Sequence, residues 1–391
     1  MGEAETAAWL LTPEAIRTQC GALFREAEAG RLEHFTLHLD RLDPCADEVV
    51  ATIRDAYPTL AIPPHARWRH FVIAGRDRWA ERLPIVDRAE RARVECELAI
   101  LSVLLDAGAG AAWRYRSADG TEAARSEGLA LASLDMFTAG AFGGGSAEAL
   151  TAFTAEDLAQ GFQVSEANPL EGLEGRAALI SALGKTIAAR ADIFGTPARL
   201  GTIADHLIAQ GPELPARQIL ITLLDALGPI WDGRPTLAGR PLGDTWAHPN
   251  APGRGLVPFH KLSQWLSYSL FEPLGRAGLT ITEPDALTGL AEYRNGGLFV
   301  DTGVLALRDP AAASQAHAPE DPLIVEWRAL TVALLDRVAE AVRAKLNLSA
   351  EALPLAAVLE GGTWATGRRL ARVARPGGAP PIEILSSGTV F

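Results

Sequence analysis

The sequence has little cysteine, and it has no long apolar run. The three cysteines, Cys20, Cys45 and Cys96, are far apart and lack CxxC spacing. We therefore expect neither a disulfide framework nor a thiolate zinc site, and we interpret these residues as buried thiols. No run of eighteen or more apolar residues is free of charges and breakers, so no membrane-spanning helix is predicted.

Basic charge is also scarce. The net charge is −12 and the isoelectric point is near 5.2, which would repel a nucleic-acid backbone. We therefore expect no nucleic-acid partner, and a small anionic ligand would need a local basic pocket. The first residues, MGEAETAAWLL, carry acids where a secretory signal carries bases. A cytoplasmic protein without membrane association is expected.

Ala, Leu, Arg and Glu at helical spacing predict a mainly α-helical protein with a few short peripheral strands. The 391 residues are expected to form one large domain, with an N-terminal lobe at 1–145 and a second lobe at 146–391. Strand patterns occur at 33–39 and at 380–391, where a hairpin is predicted around Ser387 and Gly388. The longest predicted helices are 84–107, 173–190, 213–228, 257–277 and 322–347. The Pro- and Gly-rich segment 232–258 is long enough to be a functional loop.

The stretch PFHKLSQWLSYSLFEPL, residues 258–274, reads as a helix. Lys261, Gln264 and Tyr268 form one polar stripe on it, and leucines form another face. Such a stripe usually faces water. Lysine occurs at only three positions in the chain, however, so a functional Lys261 is the alternative.

The stretch GLAEYRNGGLFVDTGVLAL, residues 289–307, places two carboxylates around a pair of glycines. Gly296 and Gly297 permit a turn with positive φ or the close approach of a ligand, with Glu292 and Asp301 on either side. The alternative is structural: Glu292 pairs with Arg294, and Asp301 caps a helix. Residue types alone do not separate the two interpretations.

The segment 65–79, HARWRHFVIAGRDRW, interleaves cations with indoles. If it is extended, Arg67 and Arg69 project to one face and Trp68 to the other, which would suit a phosphate held beside a ring. A salt-bridged surface with buried indoles is the alternative. His34 and His38 lie in an apparent strand, and Phe35 follows His34 where a metalloprotease motif requires a glutamate, so we expect no metal site there.

Several phrases together resemble the uracil catabolism protein 4 family, also known as the domain of unknown function 1688. They run over nearly the whole chain. The phrases are WRHF (68–71), DRWA (77–80), LLDAGAG (104–110), NPLEGLEGR (168–176), PFHKLSQWLSYSL, LAEYRNGGLFVDTGVL, EWRALTV (326–332), GGTW (361–364) and SSGTVF (386–391). The pathway of that family implies a ring-opened, uridine-derived nucleotide, a phosphorylated ribosyl-urea, from which urea must leave. The resemblance thus implies an N-glycoside hydrolase without metal or cofactor, with contact to other enzymes of uracil breakdown.

A second resemblance is to the queuosine-nucleotide hydrolase family, whose helical fold is related to DNA glycosylases. That family has a Lys-x-x-Gln helix and, about thirty residues later, an Asp-Tyr-Arg motif with its catalytic acid. Lys261 and Gln264 match the first motif, and Glu292, Tyr293 and Arg294 match the second. The departures are glutamate for aspartate and Asn-Gly-Gly where that family has an apolar residue, Pro and Gln.

These resemblances imply roles for the motif residues. Glu292 is the expected catalytic carboxylate, ionised at pH 7, with Asp301 sharing or taking over the role. The expected substrate-binding residues are Lys261, Gln264, Arg294, Tyr293, His260, Arg67, Trp68 and Arg69. Two rivals stay open: a non-catalytic nucleotide-binding or scaffold partner of the ring-opening enzyme, and hydrolysis of the ureido amide.

Overall fold

The computed structural model describes residues 2–82, 86–231 and 233–385, which are mainly α-helical. The chain forms two compact units, and each unit combines separate segments. The first contains the chain up to His65, Arg234–Gln264 and Glu283–Leu385, and the second contains Ala66–Gly233 and Trp265–Thr282. Neither unit begins or ends near residue 145.

The first unit is built from helices of eight residues or more together with short strands. Its longer helices are Glu3–Leu10, Pro13–Glu28, Leu42–Ala56, Tyr293–Asp301, Pro322–Leu346 and Trp364–Ala374, with a short helix at Leu355–Val358 and a π-helical turn at Leu359–Thr363. Its strands are Phe35–Leu37, Thr236–Leu237, Arg240–Pro241, Thr245–Ala247, Leu256–Pro258, Leu305–Leu307, Ala316–His317 and Glu383–Ile384. The helix Lys261–Ala277 begins in this unit and continues into the second after Gln264.

The second unit is also helical. Its helices are Arg88–Leu104, Arg125–Thr138, Ala147–Ala152, Ala155–Gly161, Leu173–Ala188, Ala191–Phe194, Ile203–Ile208 and Ala216–Leu227. Its strands are Val72–Ile73, Arg76–Asp77, Tyr115–Arg116, Glu122–Ala123, Glu213–Pro215 and Thr280–Thr282. Each strand in the described residues pairs with one other strand only, so no larger sheet forms in that part of the chain.

The five long helices predicted from periodicity are confirmed, with ends within a few residues of those expected. The strand prediction at 33–39 is confirmed as Phe35–Leu37, which pairs antiparallel with Leu305–Leu307. Short strands also occur between residues 213 and 317, where the sequence shows no strand pattern. They have two or three residues each, too few for an alternating pattern to be visible. The predicted hairpin at Ser387 and Gly388 lies outside the described residues.

The helix Pro322–Leu346 is the centre of the first unit. Proline suits its first position, and Asn347 ends it in the left-handed conformation. It packs against Pro13–Glu28, Leu42–Ala56 and Tyr293–Asp301, which explains why it is apolar on most of its circumference. No helix in the described ranges is long and apolar enough to cross a membrane.

Gly296 and Gly297 lie inside the helix Tyr293–Asp301, so the predicted turn at these glycines is wrong. Their small size serves helix packing. A Cβ atom on Gly296 would lie 2.8 Å from the Trp327 indole, whose Nε1 donates to the Gly296 carbonyl at 3.1 Å. At Gly297 the nearest atom would be Cδ of Pro381, at 3.3 Å. The two glycines thus differ in how much room they have.

Replacing these glycines separately by alanine tests this difference. Gly296→Ala is expected to destabilise the protein by about 1–3 kcal/mol, because the methyl group must displace a packed indole. Gly297→Ala is the matched control, since alanine gains about 1 kcal/mol of helix propensity there and meets only a looser contact. Urea unfolding of the three proteins measures both values. Equal effects would contradict the packing explanation.

Candidate active site

The Glu292 carboxylate caps the helix Tyr293–Asp301. Glu292 has an extended backbone, its Oε1 accepts from the Asn295 amide at 2.6 Å, and its Oε2 accepts from the Arg294 amide at 2.7 Å. The residue is 9% exposed. Backbone amides at the start of a helix fix the position of a carboxylate without using a side-chain partner. Each carboxylate oxygen keeps further acceptor capacity.

The pKa of Glu292 is raised above its ordinary value of 4.5. Burial is the main cause, while the amides of Arg294 and Asn295 and the Lys261 ammonium favour the charged form and oppose the shift. The sequence argument assumed an ordinary pKa for this group. The structure instead gives a carboxyl group that takes up a proton more readily than a solvated glutamate does.

Lys261 and Gln264 lie at the start of the helix Lys261–Ala277, and both are buried. The expectation that this polar stripe faces water is therefore wrong, since Tyr268 is buried as well. Gln264 Nε2 donates to Thr288 Oγ1 at 2.8 Å, and the Thr288 amide donates back to Gln264 Oε1 at 3.4 Å. This pair of bonds ties the helix to the segment that leads to Glu292.

An ion pair that the sequence argument did not identify supports both elements. Arg328 donates from Nη1 and Nη2 to the two oxygens of Asp244, at 2.8 and 2.7 Å. Asp244 Oδ2 also accepts from the Lys261 amide at 3.0 Å, so it caps that helix. Arg328 Nε donates to the Ala291 carbonyl at 3.3 Å, next to Glu292. In the sequence, only two features pointed to this ion pair: the phrase EWRALTV, which contains Arg328, and the length of the loop 232–258, which contains Asp244.

Asp244 stays ionised despite its surroundings. Burial raises its pKa, but the Arg328 charge and hydrogen bonds lower it more, and the Trp246 indole and the Lys261 amide add to that effect. The net result is a pKa well below the ordinary value. The carboxylate thus pairs with Arg328 throughout the neutral range.

Three other expected site residues lie in the same unit. Arg294 donates from Nη1 to the Gly378 carbonyl at 2.7 Å and packs over the half-buried Tyr293 ring, with 4.7 Å to the ring centre. His260 is buried, with Nε2 2.9 Å from the Leu10 carbonyl, and burial lowers its pKa. These contacts hold the Arg294 and His260 side chains to the protein itself.

Asp301 is at the other end of the helix that Glu292 caps. At 1.5 Å per residue the two positions are about 13 Å apart along the axis. Asp301 accepts from both Nη atoms of Arg375, at 2.7 and 2.6 Å. The structure therefore does not bring the two carboxylates together. The structural alternative expected Glu292 to pair with an arginine and Asp301 to cap a helix. The structure shows the reverse, because Glu292 caps a helix and Asp301 pairs with an arginine.

Arg67, Trp68 and Arg69 belong to the second unit, where residues 67–71 form a 3₁₀ helix, so the segment is not extended. Arg67 Nη1 donates to Asp106 at 2.5 Å, and Arg69 pairs with Glu272. Their role in substrate binding stays a prediction. Within the described ranges, no group of three or more His, Cys, Asp or Glu residues could hold a metal ion.

Residues 9–391 match the model of a family described as a protein of unknown function, DUF1688. The chain belongs to this family. Protein urg3 of Schizosaccharomyces pombe is similar, with 40% identity over 99% of both chains. Uracil catabolism protein 4 of Lachancea kluyveri is 38% identical over 94% of both chains. The resemblance inferred from the sequence phrases is thereby confirmed.

Two of the Asp–Arg pairs in the first unit, Asp244–Arg328 and Asp336–Arg17, differ in burial and should therefore differ in the cost of substitution. Asp244→Asn should destabilise the protein by about 3 kcal/mol, because it leaves the buried Arg328 guanidinium without its counter-ion. Asp336→Asn is the control, since Asp336 and its partner Arg17 are each about one-third exposed and such pairs contribute about 0–1 kcal/mol. Urea unfolding at pH 7 measures both. Similar losses would show that burial of the pair has no special weight.

Proposed function

We propose that this protein hydrolyses the N-glycosidic bond of a phosphorylated ribosyl-urea, releasing urea and a pentose phosphate. Its relative in Lachancea kluyveri carries the name uracil catabolism protein 4, which supports a role of this chain in uracil breakdown. The observation that carries the proposal is the buried Glu292 carboxylate, fixed by two backbone amides and influenced by the Lys261 ammonium. Both residues are in the motif positions of a nucleotide N-glycosidase family.

A buried carboxylate suits the charge that develops in this reaction. As the C1′–N bond breaks, positive charge builds on C1′ and the ring oxygen. A carboxylate about 4 Å away stabilises that charge by roughly 4 kcal/mol at an effective dielectric constant near 20. This corresponds to about a thousandfold in rate.

The proton and electron balance of the step is simple. Water adds to C1′, the C1′–N bond breaks, and its electron pair goes to the urea nitrogen, which takes up a proton from solvent; the base that deprotonates the water later returns its proton to solvent. Glu292 accepts the proton that the attacking water loses. The raised pKa makes Glu292 a stronger base than a solvated glutamate, so it is better matched to that task near neutral pH. In this proposal, Lys261 binds an anionic or carbonyl oxygen of the substrate.

The test is a product assay with synthetic ribosyl-urea phosphate. Wild-type protein should release urea and reducing sugar in equal amounts. Glu292→Gln should lower turnover by at least about a hundredfold, because it removes the base and the negative charge, while substrate binding persists. Release of ammonia or carbamate would instead indicate hydrolysis of the ureido amide.

The controls separate catalysis from folding. Glu326→Gln changes another buried glutamate that accepts two backbone amides, those of Glu33 and His34, and should keep its turnover. Glu292→Asp keeps a carboxylate that can cap the helix, so it should fold and retain more turnover than the glutamine variant. Wild-type protein that binds the compound without releasing either product would favour a non-catalytic binding partner.

The pH dependence of kcat/KM, which reports the titrating groups of the free enzyme, tests the electrostatic link between Lys261 and Glu292. If the ionised carboxylate is required, activity falls as pH drops through the raised pKa, so the acid limb lies above pH 4.5. Lys261→Gln removes a charge that favours the ionised form, so the pKa rises and the limb moves to higher pH. Lys185→Gln changes an exposed lysine and should leave the limb in place. If the acid limb of the pH profile moved to lower pH in Lys261→Gln, its assignment to the ionisation of Glu292 would be contradicted.

A further inference from the structure

Arg234 is at the start of the loop that carries Asp244. It lies two residues before the hairpin of Thr236–Leu237 and Arg240–Pro241. The side chain is half-buried, and its guanidinium carbon is 4.7 Å from the centre of the Trp246 ring. This distance is that of a cation–π contact, which holds the guanidinium against the indole.

The Arg234 guanidinium differs from the neighbouring arginines in what it binds. Arg328 donates to Asp244 and Ala291, Arg294 donates to Gly378, and Arg254, in the same loop, pairs with Glu3. Among residues 2–82, 86–231 and 233–385, none accepts a hydrogen bond from Arg234 or forms an ion pair with it. Its fork of five N–H donors is thus open to a ligand.

Arg234 is connected to the candidate active site through Trp246. The Trp246 Nε1 donates to Asp244 Oδ1 at 2.7 Å, and Asp244 caps the helix that begins at Lys261. Burial lowers the pKa of Arg234, the Asp244 charge opposes that shift, and the Arg328 charge adds to it. These three charged groups therefore lie within electrostatic reach of one another.

The charges in this cluster favour an anion. Two further charges belong to the cluster, since Glu320 acts on Arg234 and Arg294 acts on Glu292. With them, the cations still outnumber the carboxylates by one, in a chain whose net charge is −12: Arg234, Lys261, Arg294 and Arg328 against Asp244, Glu292 and Glu320. Asp244 is already paired with Arg328, and Lys261 interacts with Glu292. Arg234 forms no ion pair with a described residue, and the two Nη atoms of its fork suit two oxygens of a phosphate monoester.

We propose that Arg234, stacked on Trp246, is a binding subsite for the phosphate monoester of the substrate, with the guanidinium donating to two phosphate oxygens. The subsite rests on the proposed function for the identity of the substrate. Arg294, which the resemblance implies as a substrate-binding residue, instead donates from Nη1 to the Gly378 carbonyl.

Isothermal titration with ribose 5-phosphate tests the subsite without any turnover. Arg234→Gln should weaken binding by roughly thirtyfold, the loss expected for a charge-assisted bidentate contact. The affinity of Arg234→Lys should lie between those of wild type and Arg234→Gln, because lysine keeps the charge and loses the fork of N–H donors. Arg254→Gln is the matched control from the same loop and should bind as wild type does. Ribose that carries no phosphate should show no difference in affinity among wild type and the three variants.

The two proposals fail in different ways. If ribose 5-phosphate binding depends on Arg234 but no ribosyl-urea phosphate is hydrolysed, the subsite stands and the hydrolase is refuted. If hydrolysis is normal and Arg234→Gln binds ribose 5-phosphate as wild type does, the subsite is refuted alone. Equal weakening by Arg254→Gln, or no binding by wild type, would also overturn it. The near-ultraviolet circular dichroism of each variant confirms that the fold around Trp246 is kept.

Discussion

One carboxylate, that of Asp244, joins three parts of the first unit that are distant in sequence. It binds Arg328 on the helix Pro322–Leu346, and it caps the helix that begins at Lys261. Through Arg328 it also fixes the Ala291 carbonyl, immediately before Glu292. Lys261 and Glu292 are therefore positioned by the same ion pair, one through its amide and the other through its neighbour.

A buried ion pair of this kind is costly to form and costly to break. Desolvation of the two charges opposes folding, and it is offset only when further hydrogen bonds satisfy the remaining donors and acceptors. Asp244 meets this condition, since it accepts from Arg328 twice and from Trp246 and Lys261 once each. The side chain of Arg328 is 3% exposed, so water cannot replace the aspartate. Loss of the Asp244–Arg328 pair should therefore both destabilise the fold and shift the residues that the pair positions.

Much of the helical framework could be predicted from the sequence, because periodicity and caps are local. The neighbourhood of Lys261 and Glu292 was implied by the resemblance to a nucleotide hydrolase family, and not by residue types alone. The Gly296–Gly297 pair misled the prediction, since small residues permit both a turn and the close packing of Trp327, and their types do not distinguish the two. The Asp244–Arg328 pair spans 84 residues with no local pattern, so only folding brings it into view.

The glutamate at position 292, where the resembling family has aspartate, changes the geometry by one methylene. Either acid can accept backbone amides at the start of a helix, so the substitution keeps a fixed carboxylate at this point. An added carbon–carbon bond moves the charge by about 1.5 Å. Increasing the separation from 4 to 5.5 Å at a dielectric constant near 20 lowers the attraction from roughly 4 to 3 kcal/mol. That difference is less than tenfold in rate, so the longer acid remains compatible with stabilising positive charge at C1′.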